Sequence, residues 1–300
     1  VLAKTGGRYR VLSEGAVVEA TLRGRLKQGQ EQVLVGDRVT LCTHADGAMT
    51  IEEVGERRSV LRRRTPGRSH GVRLVAANVD QVAVVGAARQ PDWAPPLMDR
   101  FLAVAAANAL PVVVAVSKCD LIDDPSPLGR PYELAGYEVL YTSVPVRSGL
   151  TALRDRLAGR ITLFSGPTGV GKSSLLNALQ PGLRLRTGAV SRRSHGGRHT
   201  TVSAEMYAFA HGGFVVDTPG LRDIGLWGLE RSDVEAAFPE FRCHAEHCRF
   251  DDCHHIHEPG CAVVVAAQRG DIAESRLDSY RRMLQEAHAA ARPWAAGKSR

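Results

Sequence analysis

The chain has 300 residues, a formal net charge of +7, 44% hydrophobic and 24% charged side chains, six cysteines and eleven histidines. That length and apolar content allow two or three packed domains and exclude an intrinsically disordered protein. No apolar run reaches membrane-spanning length, no signal-peptide pattern opens the chain, and the sparse cysteines exclude a disulfide scaffold.

In chain order, residues 1–60 read as short strands. Ala16–Gly24, Glu31–Leu41 and Met49–Val54 show partial two-residue alternation, and Gly29, Gly36 and Gly47 punctuate them. Several short strands in so few residues suit a small β-barrel such as an OB-fold. A basic linker follows, with Arg57, Arg58, Arg62, Arg63, Arg64, Arg68 and Arg73. With the positive net charge it suggests contact with a phosphate backbone. Cys42 and Cys119 read as isolated thiols used for packing.

Residues 79–86 and 111–116 read as buried strands around a helix from about Leu97 to Asn108. The second strand runs into Ser117-Lys118-Cys119-Asp120, which has the form of the base-recognition element [NT]-K-x-D of GTPases, with Ser in the first place. Asp120 would accept from the N1 and N2 hydrogens of guanine, and the Lys118 stem would lie over the base. Adenine lacks that donor pair, so an ionised Asp120 disfavours ATP. Tyr141-Thr142-Ser143, after the strand-like Tyr137–Tyr141, resembles a second base-contacting loop, with Thr142 and Ser143 as its candidates.

The strand-like Ile161–Phe164 leads into Gly166-Pro167-Thr168-Gly169-Val170-Gly171-Lys172-Ser173, a complete G-x-x-x-x-G-K-[ST] match, and a helix-like run follows from Ser174. That context identifies a phosphate-binding loop. Its backbone N–H groups would surround a β-phosphate, Lys172 would reach the β- and γ-phosphates, and Ser173 would offer its hydroxyl to Mg²⁺. Ser174 completes the nucleotide-binding set. Beyond it, Gly196–Thr201 reads as a switch loop. Either Thr200 or Thr201 is expected to complete the Mg²⁺ shell, and Arg186, Arg192, Arg193 and Arg198 would meet RNA. Asp217-Thr218-Pro219-Gly220 is a D-x-P-G element at a strand end. Asp217 would hold Mg²⁺ and the Gly220 N–H would sense the γ-phosphate.

Four of the six cysteines then fall within Cys243–Cys261, together with five histidines. Cys248, Cys253, His255 and Cys261 have C-x4-C-x-H-x5-C spacing, a Cys₃His set for one structural Zn²⁺, with Cys243, His244, His247, His254 and His257 as alternatives. Asp271–Glu274 has capping-box chemistry and opens a helix to about Ala290, with Ile272, Tyr280, Met283, Leu284 and Ala287 on its inner face.

The order of parts is unusual. The base reader at residues 118–120 precedes the phosphate loop, which is the arrangement of a circular permutation. Barrel, permuted order and metal spacing together resemble the circularly permuted, ribosome small-subunit-dependent GTPases of bacteria, over essentially the whole chain. The resemblance implies an N-terminal OB-fold (residues 1–70), a permuted α/β P-loop GTPase domain (71–230) and a mainly helical zinc domain (231–300). It implies GTP hydrolysis stimulated by the small ribosomal subunit during late maturation, rRNA binding, a cytoplasmic location and a monomer, with no membrane partner. Ser117 and the short Thr200-Thr201-Val202 run depart from the family's usual residues. The position after D-x-P-G is Leu221, which cannot orient water, so intrinsic turnover should be low. The resemblance points to His199 as the water-orienting catalytic group, with His195 as its rival. Two other readings stay open: a nucleotide-regulated RNA-binding module with little turnover, and a signalling GTPase with a protein partner.

Overall fold

A computed structural model describes residues 1–24, 26, 32–64, 72–180, 183, 204–217 and 230–291. The strands are β1 (Ala3–Thr5), β2 (Arg8–Ser13), β3 (Ala16–Leu22), β4 (Val39–Thr43), β5 (Met49–Val54), β6 (Val60–Arg64), β7 (Val72–Ala77), β8 (Gln81–Ala87), β9 (Val112–Ser117), β10 (Glu138–Tyr141), β11 (Arg160–Ser165), β12 (Glu205–Ala208) and β13 (Gly213–Asp217). The helices are α1 (Pro95–Ala107), α2 (Ser126–Leu134), α3 (Leu150–Leu157), α4 (Lys172–Leu179), α5 (Arg231–Ala236), α6 (Arg242–Ala245), α7 (Ala262–Arg269) and α8 (Glu274–Ala291).

The central sheet runs β10-β9-β8-β11-β13-β12, parallel except for its antiparallel β12 edge. β8 is buried at every position, which is why, after Gln81, it reads as an apolar run rather than an alternating one. Its residues still divide by face. Val82 and Val84 pack with Met98, Phe101 and Leu102 of α1 and with the C-terminal helices. Ala83, Val85 and Ala87 pack with Leu153 and Leu157 of α3 and Leu175 and Leu176 of α4. The two-residue period of the strand thus sends alternate side chains into two cores, giving a three-layer α/β/α domain.

The N-terminal strands run β1-β2-β3-β5-β4, antiparallel except for the β3–β5 pair. This is the strand order of an OB-fold, and it encloses a core of Val1, Tyr9, Val11, Ala20, Val33 and Ile51. The barrel is joined to the central sheet: Ala3 pairs with Glu205, and the Met206 N–H donates to Leu2 O at 2.8 Å.

The stretch read as a basic linker is more ordered than expected. β6 and β7 form an antiparallel ribbon, because Leu61 and Ala76 are fully buried against the α1 side of the sheet. Two of its arginines are also committed. Arg57 makes a bidentate pair with the buried Asp37 (2.7 and 2.8 Å), and Arg58 pairs with Asp80 at 3.1 Å. Gly36 has φ +93°, and a Cβ there would stand 2.0 Å from Ala77 O, so only glycine lets barrel and ribbon meet.

The C-terminal helices cover the α1 face. Ile272, Leu277, Tyr280, Met283, Leu284 and Ala287 are buried, as the periodicity of α8 requires. Among them lies Arg276, with only 1% of its side chain exposed. Its guanidinium pairs with Asp99 of α1 (2.6 Å) and Glu240 (2.8 Å), donates to Ala237 O (2.6 Å), and stacks 4.1 Å from the Phe238 ring centroid.

Candidate functional site

The phosphate loop connects β11 to α4, so it lies at the carboxyl edge of the sheet, where α/β folds bind ligands. Gly166 has φ +136°, and a Cβ there would meet Val85 O at 2.1 Å. Gly169 and Gly171 also have positive φ. Pro167 and Thr168 lie between them, and Val170 is buried at the base of the loop. The Lys172 ammonium donates to Gly166 O (2.7 Å) and Pro167 O (2.6 Å), so it sits inside the loop's own curve. Ser173 and Ser174 follow on the first turn of α4, half-buried.

The base-reader sequence abuts this loop. Ser117 ends β9, and its hydroxyl lies 2.5 Å from Val170 O and 3.1 Å from Gly86 O. The shorter side chain at this place therefore still ties the two segments together. Lys118 has φ +55°, and its ammonium donates to Gly169 O at 2.7 Å and to Gln90 O. Its stem passes over Gly171, where a Cβ would stand 3.7 Å from Lys118 Cε. Asp120 accepts a hydrogen bond from the Ser143 hydroxyl. Thr142, buried like Ser143, turns the other way: its hydroxyl donates to Val116 O at 3.1 Å, and its carbonyl accepts from the Cys119 N–H at 3.2 Å. Gly149 (φ +67°) seats this loop, since a Cβ there would be 1.9 Å from Tyr141 O. Cys119 is half-buried: burial raises its pKa, and its Sγ lies 3.3 Å from Val116 O.

Asp217 closes β13, which runs parallel to β11 with Val216 beside Leu163. Phosphate loop and Asp217 thus leave adjacent strands at the same edge. Thr200, Thr201, His199, His195 and Gly220 lie outside the described residues, as do Arg186, Arg192, Arg193 and Arg198.

The second site is the cysteine cluster. The ligand atoms of Cys248, Cys253, His255 and Cys261 all lie within 4.8 Å of one another. His255 Nδ1 is 3.6 Å from Cys248 Sγ and 3.4 Å from Cys261 Sγ, and those sulfurs are 3.9 Å apart. Tetrahedral zinc with bonds of about 2.0–2.3 Å sets its ligands about 3.3–3.8 Å apart, so the separations fit. The electrostatics fit as well. Burial, with the neighbouring Cys261 and Cys248 sulfurs, pushes the Cys253 thiol up to about 12, and burial lowers the His255 pKa. Cysteine binds zinc as thiolate and histidine as the neutral ring, so a cation here would displace the thiol protons and take the free lone pair of the imidazole. These four residues could hold one zinc, and the spare histidines stand outside the group.

One supporting residue has no periodic signature in the sequence. Glu258 accepts from the N–H groups of His254 (3.0 Å), Ile256 (2.9 Å) and His257 (3.1 Å). Burial opposes its charge, yet these backbone donors bring its pKa down to about 2. It therefore holds the turn that presents His255, itself at φ +58°.

Comparison with known proteins agrees with this layout. The RsgA N-terminal domain family matches residues 1–51, and the RsgA GTPase family matches residues 54–227. The chain is 48% identical to the small ribosomal subunit biogenesis GTPase RsgA of Gemmatimonas aurantiaca, covering 95% of this chain and 96% of that one. It is 40% identical to the protein of the same name from Moorella thermoacetica, with the same coverage. The fold resembles the crystal structure of YjeQ from Thermotoga maritima (TM-score 0.77, 34% identity, 96% of this chain and 97% of that one). It also resembles YloQ, described as a circularly permuted GTPase (TM-score 0.74, 28% identity, 96% and 94% covered).

Proposed function

Because the chain belongs to the RsgA family of circularly permuted GTPases, we propose that it hydrolyses GTP in response to the small ribosomal subunit, during that subunit's late maturation. One observation carries the reading: the S-K-C-D segment is bonded directly onto the phosphate loop through Ser117–Val170 and Lys118–Gly169. A base reader clamped to a phosphate cradle fixes the distance between nucleobase and triphosphate, which is what selecting one nucleotide requires.

In this reading Asp120 accepts the two guanine donors and Ser143 holds its carboxylate. Thr142 acts one step back, as the buried anchor of that loop. The Lys118 stem covers the base. The N–H groups of Gly166, Pro167, Thr168, Gly169, Val170 and Gly171 surround the phosphates, and Lys172 exchanges its loop carbonyls for phosphate oxygens. Ser173 and Asp217, with Thr200 or Thr201, would hold Mg²⁺, which neutralises charge building on the phosphate oxygens. Gly220 would read the γ-phosphate. Ser174 lies beside Ser173 on the same positive helix end.

Leu221 leaves the attacking water without a side-chain partner next to the D-x-P-G element. His199 takes that role in the proposal, since a neutral imidazole accepts a hydrogen bond from water. Stimulation then means that the subunit positions the segment bearing His199. The remaining arginines would supply the charge for rRNA, and in this reading the protein acts in the cytoplasm as a monomer. The Cys₃His group would hold one zinc as a structural clasp, with no step of the reaction passing through it.

The deciding experiment is GTP turnover against added small subunits, large subunits and naked rRNA. Only small subunits should raise the rate markedly, and His199→Ala should lose that rise while keeping GTP affinity. Equal stimulation by large subunits, or undiminished stimulation of the variant, overturns the assignment.

A further inference from the structure

Cys42 is not the isolated packing thiol that its sequence context suggests. It is at the surface near the end of β4, and His44, two residues on, opens the turn that follows the strand. The third member arrives through an irregularity. Thr40 pairs with Glu53 and Leu41 with Ile51, so Glu52 is the extra residue of a bulge in β5. A bulge re-aims the side chain it carries. One ligand atom each from Cys42, His44 and Glu52 lies within 4.8 Å of the other two.

The hydroxyl of Thr50 organises the group. It donates to Glu52 Oε1 at 2.7 Å and lies 2.9 Å from His44 Nε2. A hydroxyl has one proton to give, and the ionised carboxylate can only accept it. The Thr50–Glu52 bond lowers the Glu52 pKa, in keeping with that direction. His44 Nε2 must then be the donor to Thr50 oxygen, which puts the lone pair of the ring on Nδ1. A second residue that fixes the tautomer of an imidazole is the usual companion of a metal-binding histidine.

We propose that Cys42, His44 and Glu52 form a second metal site, on the surface of the N-terminal barrel, for a borderline-soft divalent cation such as zinc. Thiolate, imidazole and carboxylate together favour zinc over magnesium or calcium, which take oxygen ligands. Three protein ligands leave a fourth tetrahedral position for water or an incoming anionic oxygen. The site thus differs in kind from the closed Cys₃His cluster. Its competitor is Arg23, which pairs with Glu52. That arginine is 67% exposed, so displacing it costs little. The proposal is independent of the nucleotide chemistry.

The test counts zinc on the intact chain. Zinc retained after gel filtration, measured by elemental analysis, is added to zinc taken up in a calorimetric titration of the same sample. The unmodified chain should total two equivalents, and Cys42→Ser and His44→Ala one each. Thr50→Val should keep the second equivalent but weaken it about 10–100-fold, and Arg23→Gln should tighten it. A total of one in the unmodified chain, or two in Cys42→Ser with unchanged affinity, overturns the site. Both ligand substitutions are at the surface, and an unchanged far-ultraviolet circular dichroism spectrum checks that the barrel is intact.

Discussion

Among the described residues the Ser143 hydroxyl holds the Asp120 carboxylate, so two substitutions at this corner should behave differently. Ser143→Ala removes one supporting hydrogen bond, worth about 1 kcal/mol, and should weaken GTP binding roughly fivefold with guanine preference retained. Asp120→Asn removes the charge that accepts both guanine donors. Charge-assisted bonds contribute about 1.5–3 kcal/mol each, so GTP affinity should fall by about a hundredfold or more while ATP affinity does not fall. Displacement of a fluorescent guanine nucleotide measures both. Equal losses for the two variants would show that Asp120 does not read the base. Glu258 works in the same way at the metal cluster. Its folded pKa of about 2 lies below the ordinary carboxylate value, so its stabilisation is complete above about pH 4.5 and disappears only as pH falls toward 2. It is therefore fully charged wherever thiolates can hold zinc. Glu258→Gln should speed zinc loss to a chelator at neutral pH, and acid release should still follow the cysteines and His255.

Among the elements, α8 is fixed by an unusual contact. Arg276 is buried with Asp99 and Glu240, so the C-terminal helix is clamped to α1 of the nucleotide domain by charge as well as by apolar packing. Removing one partner of a buried pair leaves the others uncompensated, at a cost of about 3–5 kcal/mol. Arg276→Ala should accordingly lower the urea midpoint sharply, and Arg276→Met combined with Asp99→Asn and Glu240→Gln should recover part of the loss. This clamp is not legible in the sequence, where Arg276 stands on an ordinary amphipathic stripe and its partners lie far away in the chain. Elements with strong local signals are legible: the buried runs of β8, β9 and β11, helix α1, and the stripe of α8 all come within a few residues. The exposed-looking β6–β7 ribbon is missed because its charged residues outweigh Leu61 and Ala76, whose burial depends on the sheet beneath. At the site, the phosphate loop and the cysteine spacing are visible because function fixes their local pattern. That Thr142 is an anchor while Ser143 reaches Asp120 depends on which way a loop turns, and two adjacent hydroxyl residues carry no such information. Cys42 shows the opposite failure, since its companions Thr50 and Glu52 come from the pairing of β4 with β5, which the lone thiol does not announce.

Across the whole molecule, a net charge of +7 makes association with an RNA surface depend on released counterions. The affinity for small subunits should fall linearly with salt on logarithmic axes, and intrinsic GTP hydrolysis should change far less. A flat salt response in a filter-binding or sedimentation assay would argue for a protein-only contact. Zinc removal should act locally. Cys253 and Cys261 pack in the same core as Phe238, Phe241 and Tyr280, so chelation should expose residues 243–261 to protease and reduce the aromatic circular dichroism. Binding of GTP at the carboxyl edge of the sheet should persist.

The strand order has a consequence for how the chain is made. Within the central sheet, β8, β9 and β10 are translated before the rest and lie on one side, whereas β11, which completes the free edge of β8, comes only with residues 160–165. A nascent chain thus holds an open, mostly apolar strand margin until β11 is made. The half that selects the base takes shape before the half that grips the phosphates exists. A pause between residues 90 and 160 should therefore be the most hazardous interval for this protein, and the one in which a chaperone is needed.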